Sequence, residues 1–400
     1  MIPLRLVCYF SYTEAKQPKR LEGESFDKQG AKMKIAILGT RGVPAKYGGF
    51  ETCAEELAVG LVARGHQVTV YCRYGNWEEN PDAREFKGAR LVYLSSLKTK
   101  VTDTFSHTFV SMLHALFQNY DVWMVFNAAN SPICLIPRLL GKKLAINVDG
   151  LEWKRKKWGP AAKRYYQWAE WLSPKVGAVI SDSRAIQDYY LKRYNARSHF
   201  VAYGAHVETS ENPEILQEYG VRPGDYFFVA SRLEPENHAD LTVAAFEKVE
   251  TDKKLLIAGG ANWKSDFIRE IRNTKDPRIQ FLGPIYKDGH IKELHCNCYA
   301  YVHGNEVGGT NPALLKALGY GNCVLALNVA FNAEVVLEGG IMYDMNVESL
   351  REKMQLVVDR PEAAAECRRL AVARIEEAYT WDRIVDGYER LFATVTGASL

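Results

Sequence analysis

The sequence lacks any uninterrupted apolar run of about 18 residues, the length that a membrane-spanning helix needs. Its most apolar long stretch, residues 131–148, is interrupted by two prolines and three basic residues. The N-terminal run MIPLRLVCYF is too short to span a bilayer, and no small-residue cleavage site follows it. A signal peptide is therefore not predicted either, and we expect a cytoplasmic protein.

Clustered cysteines, a charge excess and common cofactor motifs are also missing. Of the eight Cys, only Cys296 and Cys298 are close together, and with His290 and His295 they match no standard zinc pattern. The 51 Lys and Arg nearly balance the 48 Asp and Glu, which argues against a nucleic-acid binder. The chain contains no Asp-x-Asp and no G-x-G-x-x-G motif. We predict no metal site, no cofactor and no NAD-dependent chemistry.

Short apolar runs alternate instead with longer amphipathic segments, a pattern typical of parallel sheets with helices on both faces. Because the pattern occurs twice, we predict an α/β fold of two doubly wound Rossmann-like domains that face each other across a cleft. The predicted strands are Lys34–Leu38, Gln67–Tyr71, Arg90–Leu94, Val122–Phe126, Leu144–Val148, Val176–Ile180, His199–Val201, Tyr226–Ala230, Lys254–Ala258, Ile279–Leu282, Cys298–Val302 and Cys323–Leu327.

Ligands of such folds bind where strands end and helices begin, so we examined three loops at those points. In GTRGVPAKYGGFET, residues 39–52, Gly48 and Gly49 precede a helix whose free amides can hold phosphate. In HGNEVGGTNPALL, Gly308-Gly309-Thr310-Asn311 leads into a helix that begins at Pro312. In ASRLEPEN, Arg232 follows a strand, where a guanidinium can clamp a diphosphate.

These motifs, with NVDGLEWKRKKW at residues 147–158, resemble the family-four retaining glycosyltransferases of the GT-B fold. Within that family the sequence is most similar to bacterial rhamnosyltransferases of capsule and exopolysaccharide assembly. The resemblance implies an acceptor-binding N-terminal domain at 33–205, a linker at 206–222 and a nucleotide-sugar-binding C-terminal domain at 223–375. We predict that residues 1–32 are a disordered or spurious extension, and that a helix within 376–400 packs back on the N-terminal domain.

The resemblance also implies roles for individual residues. Arg232 and the Gly48-Gly49 turn would contact the donor diphosphate, Gly308–Asn311 would contact the sugar and phosphate, and Ile285 would lie beside the base. Asp149 would lie near the reacting carbon. Glu306 is the second candidate catalytic carboxylate.

Four positions depart from the family pattern. Aligned on Pro312, the two glutamates that most members carry fall at Gly308 and Lys316. The usual diphosphate lysine is replaced by Asn237, and Asp149 stands where many members have a histidine. We interpret Lys316 as a donor-binding residue that replaces the missing cation.

On the acceptor side we predict roles for Thr104 and His107, in a loop between a strand and a helix, and for Asn130 and Glu152. Residues 153–172 combine four of the eight Trp with six basic residues. That combination suits peripheral contact with an anionic membrane, and a solvated helix that packs its Trp inward is the alternative.

The leading hypothesis is a hexosyltransferase that moves a sugar, with L-rhamnose as the candidate, from a nucleotide-sugar to a lipid-linked or saccharide acceptor. It would act with retention and without a metal. A nucleotide-sugar epimerase of the same fold and a non-catalytic partner with this fold remain open alternatives.

Overall fold

The structure is a computed structural model that describes residues 31–45, 48–74, 83–97, 102–155, 158–260 and 266–399. The predicted N-terminal extension therefore lies almost wholly outside the described residues. Among the described helices, none is both long and apolar enough to cross a bilayer.

The first half of the chain forms one eight-stranded sheet. It consists of β1 (Lys34–Leu38), β2 (Gln67–Arg73), β3 (Glu85–Phe86), β4 (Ala89–Leu94), β5 (Val122–Phe126), β6 (Leu144–Asn147), β7 (Ala178–Ser181) and β8 (His199–Phe200), in the order β3-β4-β2-β1-β5-β6-β7-β8. All neighbouring pairs are parallel except β3 with β4. The helices are α1 (Gly49–Ala63), α2 (Thr102–Leu116), α3 (Leu135–Leu139), α4 (Pro160–Val176) and α5 (Arg184–Tyr194).

The second half forms a six-stranded parallel sheet. Its strands are β9 (Tyr226–Ala230), β10 (Lys254–Ala258), β11 (Ile279–Gly283), β12 (Ala300–His303), β13 (Val324–Leu327) and β14 (Gly340–Tyr343), in the order β11-β10-β9-β12-β13-β14. The helices are α6 (Ala239–Phe246), α7 (Asp266–Ile271), α8 (His290–Cys296), α9 (Pro312–Gly319), α10 (Ala330–Val336), α11 (Val347–Asp359), α12 (Pro361–Ala378) and α13 (Trp381–Thr396). Two parallel sheets of this kind confirm the predicted fold class.

Helices cover both faces of the N-terminal sheet. One face contacts α1 and α13 through a core that includes Leu57, Leu61 and Phe392. The other face carries a separate core that includes Met112 of α2, Cys134 before α3 and Leu172 of α4. Helix α2, the α3 segment and α4 therefore form a single outer layer.

The last helix crosses back to the N-terminal domain. Its Tyr388 hydroxyl accepts a hydrogen bond from Asn147 Nδ2 at 2.9 Å and lies 3.8 Å from the Cys53 sulfur. Gly60 of α1 lies close to the helix, since a Cβ there would come within 2.6 Å of Val385. The chain returns beside its first connection between the two domains, near residue 205. The two segments are joined there, because Ala205 N–H donates to the Tyr379 carbonyl at 2.8 Å.

Two details differ from the predicted elements. The segment TDTFSHT, predicted as a loop, begins helix α2 at Thr102. Strand β14, which starts at Gly340, is not among the predicted strands. Gly340 is in fact required by close packing, since a Cβ there would meet Val336 Cγ1 at 2.7 Å and the Val324 carbonyl at 2.9 Å.

Candidate active site

The strand order changes direction between β1 and β5 in one sheet and between β9 and β12 in the other. In doubly wound folds, ligands bind at the carboxyl ends of the strands beside such a switch point. The loops that follow β1, β9 and β12 are the three loops singled out from the sequence. The topology therefore puts the predicted glycines and Arg232 at the switch points.

Two helix N-termini meet between the domains. Helix α1 begins at Gly49 and α9 at Pro312, and a Cβ on Gly49 would lie only 2.8 Å from Pro312 Cγ. Each N-terminus is the positive end of a helix dipole, and the first turn of α1 has no side-chain cap at Gly48. Helix ends of this polarity favour an anion nearby.

The first loop is held against α1 by Glu51, which is buried in the first helical turn. Its Oε1 accepts a hydrogen bond from the Arg41 backbone N–H at 3.1 Å. Gly48, the N-cap, lies beside the same carboxylate, because a Cβ there would be 3.0 Å from Oε2. Residues 46 and 47 of this loop lie outside the described residues.

In the β12 loop the side chains serve the fold and the backbone remains available. Asn311 caps α9 through Oδ1, which accepts from Ala313 N–H at 2.9 Å. The Thr310 hydroxyl donates across the domain boundary to the backbone carbonyl of Asp182. Gly308 also reaches the other domain, since a Cβ on Gly150 would lie 2.5 Å from the Gly308 carbonyl carbon. The cleft is therefore closed at this point.

In the β9 loop Arg232 is exposed, and among the described residues its guanidinium forms no ion pair. Its carbonyl accepts a hydrogen bond from Asn237 Nδ2 at 2.7 Å. Asn237 is buried, so it holds the loop in shape where the family lysine is expected. The loop is also tied to the β12 loop, because Glu306 N–H donates to the Glu236 carbonyl at 3.0 Å.

Glu306 itself pairs with His238, whose Nε2 lies 3.1 Å from Oε2. His238 has a left-handed backbone, with φ of 52°, and is the N-cap of α6. This conformation favours glycine, so a histidine here is held by its surroundings. His238 was not predicted from the sequence.

Asp149 follows β6 with φ of 53° and is partly buried. Its backbone N–H donates to Asn147 Oδ1 at 3.0 Å, and the Tyr203 hydroxyl donates to its carboxylate at 3.3 Å. Burial raises the pKa of Asp149, and the nearby Arg155 offsets part of that increase.

A second carboxyl group, Asp182, lies at the end of β7 and is completely buried. Neither of its carboxyl oxygens has a well-formed hydrogen bond with a described residue. Burial raises its pKa well above the ordinary value, and the carboxyl group of Asp149 raises it further. Asp182 was missed, although a polar residue directly after a predicted strand is a recognisable signal.

Arg155 is partly buried, and its charged neighbours include Glu152, Asp149 and Glu236 of the other domain. Its Nε donates to Glu152 Oε2 at 2.6 Å, and Trp158 Nε1 donates to Glu152 Oε1 at 3.0 Å. Burial alone would lower the pKa of Arg155, but Glu152 and Asp149 outweigh burial and raise it. Glu152 therefore orients Arg155 next to Asp149.

The other predicted acceptor-side residues are engaged inside the N-terminal domain. Thr104 Oγ1 accepts from Arg73 Nη2 at 2.8 Å, and Asn130 Nδ2 donates to the Phe126 carbonyl at 2.8 Å. His107 is fully buried in α2, and burial lowers its pKa to about 4. In this closed conformation the structure does not present the His107 and Asn130 side chains to an open cleft.

Ile285 and Lys316 lie further from this centre. Ile285 follows edge strand β11 and packs partly on the core. Lys316 is exposed on α9, and its charge acts on His206 of the connecting segment and on buried His295. Within the described part of the chain, no three His, Cys, Asp or Glu side chains form a group suited to a metal ion.

Two facing Rossmann-like domains with anion-binding helix ends between them define the GT-B class of glycosyltransferases. Comparison with known families supports this assignment. Residues 47–208 match the family model "Glycosyltransferase Family 4", and residues 212–373 match "Glycosyl transferases group 1". The chain belongs to these family 4/group 1 glycosyltransferases, and it is a glycosyltransferase.

Solved structures share the fold at low sequence identity. Sucrose-phosphate synthase from Thermosynechococcus elongatus is 15% identical with a TM-score of 0.76, and the match covers 92% of this chain and 100% of that one. Anabaena HepE in complex with UDP-glucose is 15% identical with a TM-score of 0.73, over 90% and 100% of the two chains. WaaG, a glycosyltransferase involved in lipopolysaccharide biosynthesis, is 15% identical with a TM-score of 0.67, over 91% and 100%. No curated protein matches the sequence.

Proposed function

We propose that the protein transfers a sugar from a nucleoside diphosphate sugar to a saccharide or lipid-linked acceptor in exopolysaccharide biosynthesis, with L-rhamnose as the candidate sugar. The observation that carries this proposal is the meeting of the α1 and α9 N-termini at Gly49 and Pro312. HepE, a structural neighbour, was solved with UDP and with UDP-glucose. We infer that a diphosphate of this type binds at the same meeting point here.

Charge development explains how these residues would act. Breaking the bond between the anomeric carbon and the diphosphate leaves negative charge on the phosphate oxygens. In our proposal the backbone N–H groups at Gly49 and Gly308–Asn311, together with Arg232, stabilise that charge. Preorganised donors of this kind are often the largest contribution to catalysis. Because they supply positive charge themselves, we propose that the transfer needs no metal ion.

The carboxylates would act on the sugar and the acceptor. Burial makes Asp149 more basic than an ordinary aspartate, so it suits contact with an acceptor hydroxyl near the reacting carbon. Glu306, paired with His238, would contact the sugar from the donor side. The bond from the acceptor oxygen would form on the face that the diphosphate leaves, which retains the configuration.

The first experiment is a thermal-shift screen of nucleoside diphosphates and their sugars, because a ligand that binds the native state raises its stability. The donor that binds is then incubated with short lipid-linked acceptors, with and without EDTA, and the product linkage is determined by NMR. Transfer with retention and no EDTA effect supports the proposal. An altered free sugar nucleotide without an acceptor would instead identify an epimerase.

A non-catalytic partner is the second candidate, and one observation favours it. Asn237 is neutral and its Nδ2 donates to the Arg232 carbonyl, so it supplies no cation where the family places a lysine. Tight donor binding without turnover on any acceptor would support this candidate and contradict the transferase proposal.

We further propose that the protein works in the cytoplasm in peripheral contact with the inner face of the cell membrane. Within residues 153–172, Trp168 and Trp171 are exposed and Lys175 stacks over Trp171 at 3.9 Å. Lys156 and Lys157 lie outside the described residues. Since Arg155 is partly buried, a test of membrane contact should leave it unchanged.

A further inference from the structure

Helix α2 presents an apolar stripe to solvent. Phe105, Phe109, Leu113 and Phe117 follow one another at intervals of four residues along one face of the helix and its end. Their exposed fractions are 42%, 39%, 39% and 87%. Val110, beside the stripe, is 39% exposed. An exposed apolar row of this length is unusual in a monomeric soluble protein and marks an interaction surface.

The opposite side of α2 is unusually polar for a buried surface. His107, Thr108 and Ser111 are all fully buried there. The Thr108 hydroxyl donates to the Thr104 carbonyl at 2.8 Å, and Ser111 Oγ lies 3.5 Å from His107 Nε2. The buried side of α2 thus mixes these polar groups with Met112 and Ala115, while large apolar side chains lie on its solvent side.

Two more exposed leucines lie near the end of α2, since Tyr120 and Leu140 line one surface cavity. Leu139 and Leu140 are 84% and 61% exposed. The loop before α3 is joined to α4, because Ser131 Oγ lies 2.7 Å from Ser173 Oγ. Phe105, Phe109, Leu113, Phe117, Leu139 and Leu140 are called the apolar face from here on.

The surroundings of the apolar face are basic. Arg138 is exposed directly before Leu139, and Lys142 and Lys143 follow Leu140 after one glycine. Between Thr104 and Val148 the sequence has one acidic residue, Asp121. Its carboxylate accepts the Lys34 backbone N–H at 2.6 Å. An apolar surface bordered by basic side chains is complementary to an anionic lipid bilayer.

The face also begins at the edge of the sheet that holds the active site. Arg73 ends β2, and its Nη1 pairs with Asp103 Oδ2 at 2.6 Å in the first turn of α2. The carboxyl ends of parallel strands share one edge, so Phe105 lies on the cleft side of the domain.

We propose that the apolar face docks on an anionic membrane and brings the acceptor side of the cleft to the bilayer surface. This inference rests on the proposed transfer to a lipid-linked acceptor and names the surface that reaches it. A second copy of the chain fits less well. In a symmetric dimer the same basic residues would face one another, which is unfavourable.

The test is sedimentation of the full chain with vesicles of phosphatidylcholine, alone or mixed with phosphatidylglycerol. Phe109, Leu113 and Phe117 are changed together to Gln, which suits an exposed helix. The matched control changes Leu191, Tyr286 and Met345 to Gln, since these are 48%, 89% and 47% exposed elsewhere. A third variant carries Arg138→Gln and Lys142→Gln.

We expect the wild type to bind mixed vesicles, the α2 variant to bind at least about tenfold more weakly, and the control to bind like the wild type. The charge variant should lose binding mainly at low salt. No wild-type binding, or equal losses in the α2 variant and the control, would overturn the proposal. A dimer that only the α2 variant abolishes, without vesicle binding, would assign the face to a second copy.

Residues 1–30 are the remaining alternative occupant, because Ala31 and Leu140 line the same surface cavity. Vesicle binding that appears only after deletion of residues 1–30 would assign the face to that segment and contradict the proposal. Nucleotide-sugar binding by the α2 variant, measured by thermal shift, should be unchanged. Vesicle binding tests the apolar face, and turnover of the donor tests the proposed function. The two results are measured separately, so one proposal can fail while the other holds.

Discussion

Gly309 of the C-terminal domain lies directly against the carboxyl group of Asp182 in the N-terminal domain. A Cβ on Gly309 would lie 2.2 Å from Oδ1 and 2.3 Å from Oδ2. No side chain fits at residue 309 while the two loops are in contact. The Asp182 carboxyl group thus limits, from the other side of the cleft, which side chain residue 309 can carry.

This contact predicts the effect of Gly309→Ala. The added methyl would keep the loops apart, and we expect turnover to fall at least about tenfold because a misplaced group loses its orientation toward the substrate. Gly159→Ala is the control, since a Cβ there meets nothing within 4 Å. Asp182→Ala should restore part of the loss by making room. Purely additive losses in this double-mutant cycle would show that the two residues do not interact.

Asp182 also predicts a pH dependence of stability. Its pKa in the folded chain is well above the ordinary value, so the folded state holds a proton that the unfolded state releases. The stabilisation that this bound proton gives the folded state is complete below about pH 4. It is lost as the pH rises through the pKa of Asp182 in the folded chain. The free energy of unfolding of Asp182→Asn should therefore fall less between about pH 5 and pH 8 than that of the wild type.

Urea unfolding at the two pH values measures this difference. Asp240→Asn, at an exposed aspartate, should keep the wild-type slope. Equal slopes for Asp182→Asn and the wild type would mean that the Asp182 carboxyl titrates normally.

Arg232→Ala should weaken binding of the nucleoside diphosphate by about one to two decades, because a charge-assisted contact contributes about 1.5–3 kcal/mol. Stability should not change, since the side chain is exposed. Arg232→Lys should recover only part of the affinity, because an ammonium cannot form a bidentate contact. Isothermal titration with Arg222→Ala as the exposed-arginine control checks this. A folded Arg232→Ala protein with wild-type affinity would remove Arg232 from the site.

Lys316 tests whether the missing family cation is replaced. We expect Lys316→Met to weaken diphosphate binding severalfold, and Lys316→Glu to weaken it more because it adds repulsion. Lys248→Glu, at an exposed lysine on α6's C-terminal side, should have no effect. If the Lys316→Glu protein binds the donor as well as the wild type does, the Lys316 ammonium does not contact the diphosphate.

Tyr388→Phe tests the return of α13 to the N-terminal domain. It removes the acceptor of Asn147 Nδ2, which is buried, and should cost about 1–3 kcal/mol of stability. Tyr286→Phe is the control, since Tyr286 is 89% exposed. A wild-type urea midpoint for Tyr388→Phe would show that this bond contributes little.

Local sequence patterns predict the strands and the strand-end loops, because alternation and glycine placement depend on near neighbours. For the same reason they predict that Arg232 follows a strand and that α9 starts at Pro312. They do not predict the roles of Asp182 and Arg155, which follow from contacts between distant segments. Arg155 resembles its basic neighbours in sequence, and only the fold separates it from them. Likewise, the sequence does not show that Phe109 and Leu113 are exposed, because the fold decides which side of α2 faces solvent.

The two chain crossings between the domains lie side by side, with Ala205 N–H bonded to the Tyr379 carbonyl. Two adjacent connections between the domains should act as a single hinge. They allow rotation about the line that joins them and resist twisting or sliding of one domain against the other. Opening of the cleft would therefore follow a single arc. Along that arc Gly49 would separate from Pro312 at the same time as Gly309 separates from Asp182, so one movement would open both contacts between the domains.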